Sequence, residues 1–351
     1  MTPRAVLGLA VVTLITTGAA IYVTWQQPAA GPVQVGDEAA FPALREHPEA
    51  VAKVVITAPA GAITLARGAD GRWVTPDRHG YPIAADKLRQ LILQLADMRL
   101  IEAKTSLPDR YARLEVEDVG AEAKSRLVRL EDADGTVLAE AILGKRRERL
   151  TGTEPSGTYL RRPDEAQSWL ASGGIDLDEA VADWLEQEIV ALEGERVQRI
   201  ELSPPAGDSY AVVRDAPEAE LRLDGLAEGE ALKQDANLNQ LAGALATVLL
   251  QDVKPVAEIA WPDEDHTVTV MTFDGVEITL RLASLDDQHW LQVDAAPGAL
   301  EGLDADQATA AEEQAQAIDA RTDGWAYQVS DFLFERLTKP RADWLADVGT
   351  S

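Results

Sequence analysis

The chain has 351 residues, of which 46% are hydrophobic and 26% are charged, and its formal net charge is -28. This hydrophobic fraction is sufficient for packed cores, and the length is typical of about two domains. Nucleic acids and anionic lipid surfaces are excluded as partners, because proteins bind both through many Lys and Arg side chains. The sequence contains no cysteine, which excludes a disulfide framework and a lipid-modified cysteine.

The first elements are a cytoplasmic tip and a transmembrane anchor, predicted together over residues 1–25. Residues 5–23 are apolar apart from threonines and glycines, and a helix from residue 5 to 25 is about as long as the hydrocarbon core of a bilayer is thick, roughly 30 Å. Arg4 places the amino terminus in the cytoplasm by the positive-inside rule. We therefore expect a single-pass protein of the bacterial inner membrane with its bulk in the periplasm. A cleaved signal peptide is the alternative, with Gly18 and Ala20 as the small residues before the cut.

The next segment, residues 26–49, is rich in Pro, Ala and Gly and has no sustained periodicity. Such a composition is typical of a spacer between a membrane anchor and a folded body. We therefore predict a linker here, with the folded part beginning near residue 50.

Two long segments of the folded part resemble each other in the order of their motifs. Residues 51–61 and 197–207 both read as a strand followed by a Pro-Ala-Gly turn. Leucines in the segments 88–95 and 238–245 follow in the same order, and each segment closes on Ala-Asp-Trp-Leu. Shared order over separate motifs indicates a duplication. The sequence therefore predicts a first module over 50–192 and a second over 193–351.

Each predicted module contains strands, one helix and more strands. Leu88, Leu91 and Leu95 lie on one helical face. The alternating runs downstream are interrupted by Asp134-Gly135 in the first module and by Asp274-Gly275 in the second, and Asp-Gly is a strong hairpin signal. The predicted fold class is α+β, with two tandem repeats of an antiparallel sheet and a covering helix, after one N-terminal transmembrane helix.

The second module carries an acidic, Ala- and Gln-rich insertion near residues 297–323. Its residues are good helix formers but show almost no apolar stripe. We expect a solvent-exposed helix or a mobile loop, with a helix that docks a partner as the alternative.

Catalytic and metal motifs give no candidate residues. A serine nucleophile needs a histidine base, yet no Gly-x-Ser-x-Gly elbow and no metal-binding histidine spacing occurs. Four histidines are present: His47, His79, His266 and His289.

Acidic groups that could bind a hard cation lie at residues 263–265, next to His266, and at Asp176, Asp178 and Glu179, but neither has the EF-hand pattern. The segment 132–135 is better explained as a turn than as part of an EF-hand loop. We predict no catalytic, cofactor-binding or metal-binding residue.

The tryptophans are candidate sugar-stacking residues, since exported carbohydrate binders use exposed aromatic faces. Five lie in apolar strand or helix-end contexts that favour use in the core: Trp73, Trp169, Trp184, Trp290 and Trp344. Trp261 lies in a more loop-like context, AWPDEDH, and is the candidate for an exposed contact residue.

The whole pattern resembles the bacterial DUF4340 family, over most of the exported region. The motifs that carry this resemblance are Gly71-Arg72-Trp73-Val74, Tyr81-Pro82, the helix from Leu88 to Leu95, Lys104-Thr105, Leu143-Gly144-Lys145 and Gly157-Thr158-Tyr159-Leu160. The resemblance implies an envelope protein with one amino-terminal span and brings no catalytic residue with it. Genes of family members often lie beside genes for ABC transporter components of the gliding-motility type. The resemblance therefore implies an accessory role for this protein in the envelope.

Two function classes follow from these observations. The first is a non-enzymatic, membrane-anchored periplasmic protein that binds or scaffolds an envelope complex, such as an ABC transporter of the gliding-motility type. The second is an exported glycan-acting hydrolase, or a ligand-binding ectodomain, that uses a cleft between the modules. Converging acids in a deep pocket would favour the hydrolase.

Overall fold

The protein is described by a computed structural model, which covers residues 38–148, 157–299 and 303–346. The predicted anchor at 1–25 and the beginning of the predicted linker lie outside these residues. No helix in the described residues is both long and apolar enough to span a bilayer.

The first half of the described chain forms a nine-stranded antiparallel sheet. Its strands are β1 Lys53–Ala58, β2 Gly61–Arg67, β3 Trp73–Thr75, β4 Tyr81–Pro82, β5 Leu100–Ala103, β6 Arg126–Glu131, β7 Val137–Arg147, β8 Gly157–Arg161 and β9 Ser168–Ser172. Their spatial order is β4-β3-β2-β1-β6-β7-β8-β9-β5.

The second half forms an eight-stranded antiparallel sheet and contributes to a small sheet between the halves. The remaining strands are β10 Glu188–Val190, β11 Val197–Ser203, β12 Tyr210–Val213, β13 Arg222–Leu223, β14 Val248–Leu249, β15 Asp252–Pro255, β16 His266–Thr272, β17 Val276–Leu285, β18 Gln288–Pro297 and β19 Trp325–Val329. The order of the large sheet is β13-β12-β11-β16-β17-β18-β19-β15, and β10 pairs with β14.

The helices of the described residues complete the α+β fold. They are α1 Pro42–Glu46, α2 Ala85–Ala96, α3 Asn239–Ala244, α4 Ala305–Thr322 and α5 Asp331–Leu337. The predicted α+β class with antiparallel sheets is confirmed.

The two large sheets have the same strand order. If β4 is left aside, each strand of the first sheet has a counterpart at the same place in the second, from β3 and β13 at one edge to β5 and β15 at the other. The register agrees as well, since Val54 pairs with Leu130 and Ile200 pairs with Val270. Both hairpins predicted at Asp-Gly are present, as β6–β7 and β16–β17.

Each half closes on a buried tryptophan in a 3-10 turn. Trp184 ends one turn and Trp344 ends the other, and the residue after each forms a β-bridge to an earlier segment of its half. Both tryptophans are almost completely buried. Their core position, which the sequence predicted, is confirmed.

The two halves share one hydrophobic core and several direct contacts. Tyr81 of β4 packs edge-on against Trp325 and Tyr327 of β19, with ring centroids 5.0 and 6.2 Å apart. Arg78 donates two hydrogen bonds to the Asp252 carboxylate, at 2.5 and 3.2 Å. Most buried apolar residues of both halves belong to one cluster. The two sheets are therefore packed together as one body.

Residues 38–49 differ from the predicted linker. They include helix α1 and a 3-10 turn, and their backbone bonds to Met98 and Leu100 beside β5. Phe41 and Leu44 are buried in the core. The apolar side chains are too few to give a periodic signal, which is why the composition suggested a spacer.

The insertion predicted near 297–323 contains helix α4. Most of its side chains are exposed, and a reciprocal capping box between Asp304 and Gln307 begins the helix. Ala311 and Ala315 are buried where the helix packs against β18. Alanine gives little hydrophobic signal in a sequence, yet its small side chain permits close packing of the helix on the sheet.

Candidate functional site

A cavity of about 520 Å³ lies between helix α2 and the β2–β3 edge of the first sheet. We call it the Trp73 groove. Its lining consists mainly of apolar side chains and arginines: Pro48, Glu49, Arg67, Gly71, Arg72, Trp73, Pro82, Ile83, Ala85, Arg89, Ile92, Leu93 and Glu186. Pockets of this size and apolar character are typical of ligand sites.

Trp73 is held in the groove by the β2–β3 hairpin. Gly71 adopts a φ of +82° in the connecting turn, a conformation that favours glycine. Trp73 then pairs with Arg67 across the two strands. The Arg67 guanidinium lies 5.1 Å from the centre of the indole ring, and its Nε donates to the Val51 carbonyl at 3.2 Å. The cation thus covers part of the half-buried indole.

Helix α2 forms the opposite wall because it is amphipathic. Leu88, Leu91 and Leu95 are buried in the core, as the leucine spacing predicted. Ile92 borders the groove from the edge of this buried face, while Leu93 points outward and remains 48% exposed. Leu93 therefore presents exposed apolar surface at the groove.

The guanidinium groups around the groove differ in their ion pairs. Arg72 donates to Asp70 and Arg89 donates to Asp86, both at 2.6 Å in exposed positions. The side-chain hydrogen bond from Arg72 lowers the pKa of Asp70. Arg67 has no carboxylate partner among the residues that the structure covers. Among the described residues, the groove therefore presents one guanidinium without a carboxylate partner, although the chain has a net charge of -28.

A second cavity of about 540 Å³ lies on the other side of the exposed face of α2 and shares Arg89 and Leu93 with the first. We call it the Ser172 lobe. Its lining is more polar: Asp86, Arg89, Gln90, Leu93, Gln94, Asp97, Ser172, Gly173, Gly174 and Ile175. The two cavities thus form adjoining depressions with Leu93 between them.

The side chains of the Trp73 groove are suited to binding. Tryptophan and arginine supply apolar area, cation–π contacts and planar hydrogen-bond donors. The groups of its lining that could serve as general acid or base are the carboxylates of Glu49 and Glu186. The lining contains no histidine among the described residues, although His47 contacts Glu49.

His47 and His79 lie on the surface, next to Glu49 and Glu258 at 3.5 and 3.3 Å.

His266 and His289 both contact Phe334 of helix α5. The His289 ring stacks on Phe334 with centroids 3.9 Å apart, and the His266 ring meets it edge-on at 5.9 Å. Burial lowers the pKa of His266. Sequence spacing did not reveal this meeting, since the two histidines belong to different strands.

Three of the six carboxylates weighed as cation ligands form ion pairs. Asp178 contacts Lys87 at 2.5 Å, Glu179 bonds to Arg126, and Asp265 bonds to Arg281. In the described ranges no three His, Asp or Glu side chains are grouped to hold a metal ion. The Asp132 carboxylate accepts from the backbone amides of Asp134 and Thr136, which is the turn chemistry expected there.

The tryptophan predictions are confirmed in part. Trp290 is buried like the two closing tryptophans. Trp261, the predicted exposed contact, is half-buried beneath the Arg281 guanidinium, which lies 5.0 Å from its ring. Trp73 and Trp169, also predicted for the core, are half-buried and pack against it, and Trp73 borders the groove as well. The Gly-Arg-Trp-Val motif was the available signal for this site, but Arg67 and Leu93 carry no comparable motif.

Comparison with known proteins gives one family match, which covers part of the groove. The family model described as a domain of unknown function (DUF4340) matches residues 73–267, more than half of the chain. Searches of curated proteins and of solved structures gave no match. The match begins at Trp73, covers the rest of the first sheet and extends into β16 of the second. On this evidence the chain belongs to the DUF4340 family.

Proposed function

We propose that this protein is a non-enzymatic, membrane-anchored component of the bacterial envelope and that the Trp73 groove binds another component of an envelope complex. The observation that carries the proposal is the groove itself, whose lining includes a half-buried indole, an exposed leucine and a guanidinium without a carboxylate partner among the described residues. Tryptophan and arginine are the residue types most enriched among interface hot spots.

The packing of the two halves supports a scaffolding role. A shared core and the Arg78–Asp252 ion pair hold both sheets in one body. A partner bound at the groove is therefore held in a fixed position relative to the second sheet. The equal strand order further supports the proposal that the halves are tandem repeats of one module.

The location of this scaffold belongs to the same proposal. The apolar run at 5–23 is the anchor that keeps the protein in the inner membrane with its bulk in the periplasm. By resemblance to the family, the partner is a component of an ABC transporter of the gliding-motility type.

A photoreactive residue in place of Leu93 of the full chain tests the proposal in intact cells. We expect a crosslink to a membrane protein that also copurifies stoichiometrically from detergent, and we expect Trp73→Ala to abolish both. A photoreactive residue at Leu226, which is similarly exposed at 43% in the second half, is the matched control. Crosslinks of equal yield from both positions, or none from Leu93, would reject the groove as a contact site.

A glycan-acting hydrolase is the second candidate, because Glu49 and Glu186 line the same groove as Trp73. A carboxylate pair beside a sugar-stacking aromatic residue is the minimum equipment of such an enzyme. Purified full-length protein would then release fragments from envelope glycans, and Glu186→Gln would stop the release without weakening glycan binding. Equal release by the parent protein and by the double variant with Glu49→Gln would exclude this mechanism.

A further inference from the structure

We propose that the second half carries a binding site of its own, at Arg214, for a carboxylate flanked by ammonium groups, as in a basic amino acid or at the carboxyl end of a basic peptide. The site is a cavity of about 710 Å³ beside helix α3, and we call it the Arg214 pocket. It shares no lining residue with the Trp73 groove, so the inference does not depend on the proposed function.

Arg214 is a buried cation without a counterion. The residue is only 7% exposed, and it forms no ion pair with a carboxylate of the described residues. Its Nη1 donates to the Pro217 carbonyl at 3.1 Å, whereas Nε is enclosed without a hydrogen-bond partner among these residues. Nη2 has no partner there either, but it keeps contact with solvent. A buried charge without a partner is costly, and a ligand in the pocket that Arg214 lines can supply the missing anion.

Asn239 adds a second donor to the lining of the pocket. Its Oδ1 accepts from the backbone amide of Leu221 at 3.0 Å, which leaves Nδ2 without a hydrogen-bond partner in the described ranges. A guanidinium and an amide donor together match the acceptor-only oxygens of a carboxylate. The anion that this lining suits best is therefore a carboxylate.

The other charged groups of the lining are acidic. Four exposed carboxylates line the pocket, and none has an ion-pair partner among the described residues: Glu193, Glu195, Glu218 and Glu220. They repel a ligand that carries negative charge alone, and they attract ammonium groups. A ligand whose carboxylate contacts Arg214 must therefore carry cations as well.

The apolar part of the lining suits the stems of such cations. It consists of Pro217, Ala219 and Ala242. A lysine side chain packs its methylene groups on apolar surface and keeps its ammonium group at a polar edge. The volume lies in the range of small-ligand sites, and both a basic amino acid and the end of a basic peptide have the required groups.

Isothermal titration calorimetry of the full-length protein in detergent tests the inference with four ligands: lysine, tri-lysine, tri-lysine carboxamide and tri-serine. At about 0.15 M salt we expect tri-lysine to bind at least about tenfold more tightly than its carboxamide and than tri-serine. The carboxamide has one more positive charge, so non-specific attraction to a chain with a net charge of -28 would give the opposite order. Lysine separates the two sources, since binding equal to that of tri-lysine supports a free amino acid and weaker binding supports a peptide end.

Variants of the protein assign the binding to the pocket. Arg214→Gln should weaken tri-lysine by at least about tenfold and remove its preference over the carboxamide. Glu218→Gln combined with Glu220→Gln should weaken both peptides. The matched control combines Glu312→Gln with Glu313→Gln on helix α4, because these exposed acids change the net charge by the same amount. Thermal unfolding of each variant shows whether the fold is intact.

The comparison of tri-lysine with its carboxamide uses the parent protein and needs no variant to fold. Equal or tighter binding of the carboxamide would overturn the inference, and so would an equal loss of binding in the two double variants. The crosslink from position 93 decides the proposed function separately, since that position lies outside the Arg214 pocket.

Discussion

The Trp73 groove has a counterpart at the corresponding corner of the second sheet, and the two differ in almost every side chain. The backbone amide of Arg67 bonds to Ala52 in the first sheet, and that of Arg214 bonds to Gln198 in the second. A cavity is present there too, but its lining is acidic: Glu193, Gly194, Glu195, Arg214, Pro217, Glu218, Ala219, Glu220, Asn239, Ala242 and Gly243.

The two corresponding arginines have opposite environments. Arg67 is exposed on the face of Trp73, whereas Arg214 is buried and burial lowers its pKa. Leu221 directly precedes β13 where Trp73 begins β3, and Gly243 takes the place of Leu93 on the shorter helix α3. The same backbone frame thus carries an apolar, cationic surface in one half and an acidic one in the other. Under the proposed function, binding specificity would depend on these few side chains and not on the backbone frame.

The largest effects should come from the closing tryptophans, which the halves have in common. Trp184→Ala and Trp344→Ala should each lower the free energy of unfolding by about 3–5 kcal/mol, as expected for truncation of a buried tryptophan. Each indole also donates a hydrogen bond, to the Asp178 carbonyl at 3.2 Å and to the Tyr210 hydroxyl at 3.0 Å. Urea unfolding followed by circular dichroism measures both variants.

Phe332→Ala is the control for these variants, since Phe332 is aromatic but 65% exposed, and it should change stability little. A shared core predicts one cooperative transition for the parent protein. Two separate transitions, each shifted by only one of the tryptophan variants, would show that the halves unfold independently.

Gly144→Ala should have the next largest effect and distinguishes the halves directly. A Cβ at position 144 would lie 2.2 Å from the carbonyl oxygen of Leu114, whose loop crosses this point of β7. The corresponding position on β17, one residue after Leu282, is Ala283, which is buried and already accommodates a Cβ. Overpacking of this kind destabilises by about 1–3 kcal/mol.

Ala283→Gly is the reciprocal change and should lower stability by only about 0.5–1 kcal/mol, through the added freedom of the unfolded chain. Urea midpoints of both variants provide the test. An equal or smaller loss for Gly144→Ala would mean that the Leu114 loop is not held against β7.

A smaller effect is expected at the contact between the halves. Arg78→Gln removes one partner of a half-buried, two-bond ion pair with Asp252 and should lower stability by about 1 kcal/mol after screening by solvent. A double-mutant cycle with Asp252→Asn isolates the pair energy. The exposed pair of Arg72 and Asp70 is the comparison, and its cycle should give nearly zero. If the two cycles gave equal coupling energies, the Arg78–Asp252 contact between the halves would be no stronger than an exposed surface pair.

The sequence predicted those parts of the fold that a single short stretch of residues is enough to indicate. Asp-Gly between alternating runs located both hairpins, and the leucines of α2 gave its buried face. Helix α1 was missed because Phe41 and Leu44 are buried through contacts with distant segments. The packing of α4 was missed because alanines carry its contact with β18.

The groove could not be predicted for a related reason. Its character depends on Arg67, Trp73 and Leu93 meeting from two strands and a helix, and on an exposure that the sequence does not express. The apolar sequence context of Trp73 is typical of a core residue. Its position at the groove becomes evident only when Trp73 and the exposed Leu93 are seen to line the same cavity. The same reasoning explains why His266 and His289 were not paired.

The smallest effect concerns pH and another position at which the halves differ. Register places His266 of β16 where β6 has Arg126. Burial lowers the pKa of His266 from its usual value near 6.5, against a smaller opposing effect of Asp265. The unfolded chain therefore takes up the proton at a higher pH than the folded protein, so the free energy of unfolding falls as the pH drops from about 6.5 through the folded pKa. His266→Gln should flatten this slope in urea unfolding, while the same change at the exposed His47 should leave it in place. A slope that persists in the His266 variant would assign the acid sensitivity to other groups.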